Sequence, residues 1–126
     1  MHWVGLDIIE IHRIERALAR WGERFLERIY TEREQEFYGR RAESLAALFA
    51  SKEAVMKALG TGARMRNGAG VGWREIEVLP DPLGKPIVYL HGRAQKRAQE
   101  LGMSALDISL SHSRDYAVAS VVGGGE

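Results

Sequence analysis

The segment from Phe49 to Gly62, FASKEAVMKALGTG, reads as a helix with no side left for water, yet it carries three ionisable residues. Leu45, Leu48, Phe49, Met56 and Leu59 recur at i, i+3, i+4, i+11 and i+14, one broad apolar stripe. The other side holds Ala46, Ala47, Ala50, Ala54 and Ala58, small residues that let a second backbone approach closely. A helix that is apolar or small all round belongs in a core or an interface, so this chain has to fold around it. Lys52 lies within the apolar stripe, while Glu53 and Lys57 stand one turn apart. Buried charges are costly unless they are paired or bind an ion. A Glu53–Lys57 ion pair within the helix would satisfy two of the three. The exit Gly60-Thr61-Gly62 points the other way, because glycines beside buried charges suit a phosphate group.

The rest of the chain reads as α+β, a mainly antiparallel sheet packed on this long central helix. Trp3 to Ile9 alternates as a strand does, with Val4, Leu6 and Ile8 on one face and Trp3, Gly5 and Asp7 on the other. A helix follows from about Glu10 to Trp21, stopped by Gly22, and then a short helical piece over Glu23 to Ile29. Thr31 and Glu34 have the spacing of a capping box. The central helix spans Ala42 to Leu59, and the five glycines from Gly60 to Gly72 mark a loop. Trp73 to Leu79 and Pro86 to Leu90 form a hairpin, Arg93 to Leu101 a helix, and Asp107 to Ser113 with Tyr116 to Val122 a second hairpin. Residues 1–122 are expected to form one domain and residues 123–126 a flexible glycine-rich tail.

Composition narrows the class. With 45% hydrophobic and 28% charged residues over 126 positions, the chain is a small globular domain and not a disordered one. It has no cysteine, which excludes disulfides, thiol catalysis and cysteine-ligated zinc. No apolar run approaches a membrane span and no export signal is evident, so the expected location is cytoplasmic. A net charge of +1 means that any anion-binding surface arises from arrangement and not from total charge.

Phe49 to Gly62 resembles the F-A-x-K-E-A-x-x-K-A-x-G-T-G signature of the holo-acyl-carrier-protein synthases, the short bacterial class of 4'-phosphopantetheinyl transferases. Two flanking segments agree in family order: Val4-Gly5-Leu6-Asp7-Ile8 with Ile11, Arg13 and Ile14, and Ile108 to Ser113 with Tyr116-Ala117. The resemblance implies transfer of 4'-phosphopantetheine from coenzyme A to a serine of an apo acyl carrier protein, Mg²⁺-dependent, with release of 3',5'-ADP, in support of fatty acid biosynthesis. It also implies a homotrimer with sites between subunits, since the chain has one unit where longer relatives have two.

Within that resemblance the residues take roles. Asp7, which could otherwise be a helix cap, and Glu53 become the Mg²⁺ ligands, matching that ion's preference for few carboxylates plus water and phosphate oxygens. Lys57 would neutralise the leaving pyrophosphate, and Glu53 or a water it holds would take the serine proton. Gly60, Thr61 and Gly62 would offer backbone N–H groups to phosphate, aided by Arg64, Arg66 and His112. Leu48 stands where many family members carry a phosphate-binding arginine, so this recognition has to come from elsewhere, with Arg40, Arg41, Arg64 and Arg66 as candidates. Arg13, Arg16 and Arg20 share one face of the first helix and suit an acidic carrier protein. Two other readings are a Mg²⁺-dependent nucleotide pyrophosphohydrolase and a non-catalytic nucleic-acid-binding module using the arginine face. The first reading expects neither a nucleic-acid nor a membrane partner.

Overall fold

β1 (His2–Glu10) runs directly into α1 (Ile11–Trp21), followed by the short helices α2 (Glu23–Ile29) and α3 (Glu32–Tyr38) and the long α4 (Ala42–Leu59). A 3-10 turn at Trp73–Glu75 opens the antiparallel hairpin of β2 (Ile76–Pro80) and β3 (Pro86–Leu90). Then come α5 (Gly92–Leu101), β4 (Met103–His112) and β5 (Tyr116–Gly125). This computed structural model describes residues 1–61 and 70–125. β1, β5 and β4 form an antiparallel sheet in that order, and α4 lies across it, mainly on β1 and β5. The architecture is the α+β arrangement expected, with α4 over the span its pattern implies.

The alanines of α4 explain how closely helix and sheet meet. A Cβ at Gly5 would run into the backbone carbonyl of Ala54, so β1 and α4 touch backbone to backbone at a glycine facing an alanine. Ala46, Ala50, Ala54 and Ala58 are all buried within the chain's own core. Leu45, Leu48, Val55 and Leu59 are fully buried on the same helix, each contributing roughly 1.5–3 kcal/mol of transfer free energy. The alternation of β1 turns its aliphatic face outward. Gly5 and Ile9 face α4, whereas Val4, Leu6 and Ile8 are 71%, 61% and 62% exposed. Their cross-strand partners are Val122, Ser120 and Val118, so the outer face of the sheet is largely apolar at its β1 edge.

Charge inside the core is paired. Lys52 is fully buried, and its Nζ donates to Glu34 Oε1 (2.8 Å) and to the carbonyls of Trp73 and Ile76. Glu34 is equally buried; it closes the capping box with Thr31 and accepts the backbone N–H of Val78 at 2.8 Å. One ion pair thus ties α3, α4 and β2 together.

Two boundaries depart from the sequence pattern. Trp73 to Glu75 form the 3-10 turn and not the start of β2, because Phe49 of α4 stacks on Trp73 at 4.7 Å between centroids and holds it there. Gly123 to Gly125, expected as a tail, are instead strand residues, Gly123 and Gly124 paired with both β1 and β4 and Gly125 with β4. At Gly125 a missing side chain is required, since a Cβ there would run into the backbone carbonyl of Gly102.

Candidate active site

Asp7 sits on the inner face of β1, opposite Ala119 of β5, where the strand passes under the last turns of α4. Its alternative role as a helix cap does not apply, since Glu10 is the N-cap of α1 and no side chain caps it. From α4, Lys57 reaches down to the strand. Its Nζ donates to the Leu6 carbonyl (2.9 Å) and to Asp7 Oδ1 (3.1 Å). The partner of Lys57 is therefore Asp7 and not Glu53, which corrects the intrahelical pairing that the spacing permits. Asp7 is mostly shielded, at 13% side-chain exposure, whereas Lys57 keeps 56%. The pair stands at the wall of an open site and not in the core.

Glu53 is half-buried one turn before Lys57. Burial holds its carboxyl above the ordinary carboxylate range, the negative charge of Asp7 adds to the rise, and Lys57 and Arg13 oppose it. Asp7 and Glu53 thus repel each other across the junction of β1 and α4. Two carboxylates with mutual repulsion and open solvent access on one side fit a hard divalent cation that takes few protein ligands and fills its other positions with water or phosphate oxygens.

The glycine exit is built differently from the expectation. Gly60 caps α4 in the left-handed conformation; its N–H donates to Lys57 O (3.1 Å), and that of Thr61 to Met56 O (3.0 Å). Both amides are consumed by the helix end and are not free to receive phosphate, because a helix leaves its last carbonyls needing donors. Gly62, Arg64 and Arg66 lie outside the described residues. His112 ends β4 in an exposed position, opposite Ala117 of β5, which in turn pairs with Ile9; by register it shares the sheet face of Asp7. Leu48 is buried in the core, so this position supplies no cation to a phosphate. Arg40 pairs with Glu23.

Arg13, Arg16 and Arg20 are exposed on α1, and Arg13 is near enough to Glu53 to act on its ionisation. The arginine face therefore begins beside the carboxylates and leads away from them. Beyond its end, Arg20 lies over the Trp21 ring at 5.0 Å, and Arg24 of α2 reaches back over the same ring at 6.0 Å. A cavity of about 640 Å³ follows, lined by Trp21, Arg24, Phe25, Arg28, Phe49 and Trp73 among others. Its arginines come from α2, beyond the helix break at Gly22 where the periodicity of α1 ends. An apolar floor rimmed by guanidinium groups suits an acidic, amphipathic surface.

The chain belongs to the 4'-phosphopantetheinyl transferase superfamily, whose model matches residues 3–121. It is 52% identical over 123 residues to the holo-[acyl-carrier-protein] synthase of Herpetosiphon aurantiacus, covering 96% of this chain and 97% of the relative. Among solved structures, the holo-[acyl-carrier-protein] synthase of Neisseria meningitidis superposes with a TM-score of 0.85 at 37% identity, covering 97% of each chain. That of Helicobacter pylori, in complex with coenzyme A, superposes with a TM-score of 0.83 at 30% identity, covering 96% of this chain and 99% of the other. Among the described residues no helix is long and apolar enough to cross a membrane.

Proposed function

We infer that this chain is a holo-[acyl-carrier-protein] synthase, moving 4'-phosphopantetheine from coenzyme A onto a serine hydroxyl of an apo acyl carrier protein. The observation that carries this reading is the convergence of Asp7, Glu53 and Lys57 at one open junction in a chain that matches the family almost end to end. The coenzyme A complex of the Helicobacter pylori relative supports coenzyme A as the substrate. Asp7 and Glu53 would hold Mg²⁺, which when bound supplies positive charge to pyrophosphate oxygens.

The remaining work falls to the chain's own groups. The serine oxygen bonds to the phosphorus of the pantetheine phosphate as the bridge to the second phosphate breaks. The electron pair leaves with 3',5'-ADP, and the serine proton goes to Glu53 or to a water it holds. A carboxylate within hydrogen-bond reach of the serine hydroxyl can accept that proton directly or through one water. Lys57, oriented by the Leu6 carbonyl, holds its ammonium where the leaving phosphate gains charge. Gly60 and Thr61 line the coenzyme site without lending it their amides, which stay on the helix end, while Gly62, Arg64 and His112 contribute to it and Arg13, Arg16 and Arg20 face the carrier protein.

We also propose a homotrimer. The alanine face of α4, which invites a partner on sequence grounds, is covered by the chain's own sheet. The support lies instead in the exposed Val4, Leu6, Ile8 and Val122 on the outer sheet face, since contiguous apolar surface of this kind marks an interface. Sedimentation showing a fully active monomer would contradict it. A cytoplasmic location is proposed with the function, as carrier protein and coenzyme A must both be accessible.

Incubation with coenzyme A, Mg²⁺ and an apo carrier protein tests the reaction. A mass gain on the carrier supports transfer, and its loss in Asp7→Ala and Glu53→Ala supports the site. Cleavage of coenzyme A without a gain means hydrolysis, and the absence of both transfer and cleavage favours a non-catalytic binding module that uses the arginine face.

A further inference from the structure

A phosphate placed at Gly60 and Thr61 meets an electrostatic difficulty. The C-terminal end of a helix carries the negative end of its dipole and repels anions, and the two amides that could offset it are already bonded to Lys57 O and Met56 O. Lys57 is turned toward Asp7 on β1. The compensating cation at the helix end itself comes from α5. Arg97 Nε donates to the Leu59 carbonyl at 2.9 Å, and its Nη2 lies 3.6 Å from where a Cβ on Gly60 would stand. The other N–H groups of this guanidinium make no hydrogen bond with the described residues.

The same helix fastens the far flank of the segment. Glu75 accepts the backbone N–H of Gly72 through Oε1 and that of Arg93, at the start of α5, through Oε2. The His91 N–H donates to the Glu75 carbonyl at 2.8 Å. Arg93 Nη1 in turn points to the Gly70 carbonyl at 3.4 Å. Both described ends of the glycine segment are therefore bound to one helix, and Arg97 is the cationic member at the end next to Lys57.

We propose that Arg97 is a positioning residue of the coenzyme site, anchoring the Leu59 carbonyl and neutralising the C-terminal end of α4 so that a phosphate-bearing ligand can approach Gly60 and Thr61. This rests on the reading that these residues meet coenzyme phosphate. It also gives the chain a cation at the site despite Leu48, by a route that the pattern of α4 does not contain.

The test compares Arg97→Ala, Arg97→Gln and Arg97→Lys with Lys96→Ala, an exposed neighbour on α5. In ligand-free protein, hydrogen exchange at the Thr61 amide should quicken about tenfold in Arg97→Ala while the middle of α4 is unchanged. The KM for coenzyme A should rise about tenfold, with kcat within about twofold and the carrier-protein KM unaltered. Arg97→Lys should recover most of the coenzyme KM, and Arg97→Gln should not, because charge and not bulk is required. Wild-type coenzyme KM in Arg97→Ala, or an equal rise in both KM values with a lowered Tm, overturns the proposal. Wild-type protein that does not turn over coenzyme A overturns the functional reading instead, and that control separates the two failures.

Discussion

Two lysine–carboxylate pairs are built on the same helix five residues apart, and they do opposite things. Lys52 and Glu34 are wholly buried, with every partner a fixed element of the fold: Trp73 O, Ile76 O, Val78 N and the capping box of α3. Lys57 and Asp7 stand at the edge of the sheet, with the ammonium half exposed and a second carboxylate, Glu53, close enough to repel the first. A saturated buried pair has no bonding capacity left for a ligand and can only hold helices together. The open pair is incomplete by construction, and an incomplete charge cluster is what a cation and a phosphate can finish.

The contrast breaks most sharply at Lys52. Lys52→Ala leaves Glu34 charged and without its ammonium in the core, and should cost about 3–5 kcal/mol of stability, read as a lowered urea midpoint. Lys52→Met combined with Glu34→Gln should recover part of that loss, as the stranded charge is gone. If Lys52→Ala unfolds at the wild-type midpoint, the buried pair is not structural.

Lys57→Ala should show the reverse pattern. Lys57 keeps 56% of its side chain in solvent, and a pair solvated on one side stays near the roughly 0.2–1 kcal/mol of an exposed one, so the midpoint should move far less than for Lys52→Ala. Turnover should fall about a hundredfold, the usual scale for losing one charge that stabilises a transition state. Equal stability losses at Lys52 and Lys57 would erase the distinction between the pairs.

Titration sharpens the comparison further. The folded-state pKa of Glu53 is raised, first by burial and then by Asp7, so the ionised form costs folding free energy. That cost is absent below the ordinary glutamate pKa and grows as pH rises through the window between the unfolded and folded values. Cation binding needs the ionised form, so apparent Mg²⁺ affinity should fall about tenfold per pH unit below the raised value. Carboxyl NMR should place Glu53 above the usual glutamate range and move it downward in Asp7→Asn. No movement would mean that the two carboxylates do not share a site.

The smallest single effects belong to the arginine face. Arg13→Ala or Arg20→Ala alone should raise the carrier-protein KM modestly, on the scale of about 0.2–1 kcal/mol for an exposed pair. Arg13→Glu with Arg20→Glu adds repulsion and should raise it much more, with the difference shrinking at high salt. A raised coenzyme KM with an unchanged carrier KM would move the face into the nucleotide site.

Much of this was legible in the amino-acid order because it is local. Thr31 and Glu34 announce a capping box, and the apolar and alanine pattern from Ala42 to Leu59 gives α4 its ends. The motif around Glu53 and Lys57, with Asp7 upstream, places the family and the candidate ligands. Helical and strand periods depend only on near neighbours, so they survive without knowledge of the fold.

What only packing decided was which group each residue meets. Glu34 gives no sign that its second oxygen awaits Val78 or that Lys52 lies behind it. Arg97 belongs to an unremarkable polar helix until that helix is set against the end of α4. Gly123 to Gly125 read as a tail because glycine has no side chain to signal a strand, yet at Gly125 that absence is what lets β5 pass against the backbone of Gly102. The alternation of β1 groups Val4, Leu6 and Ile8 on one face, and only the placement of α4 against Gly5 turned that face outward. A period of two separates the faces of a strand but not inside from outside; that choice is made by the close contact only one face can accept, here glycine against the backbone of α4.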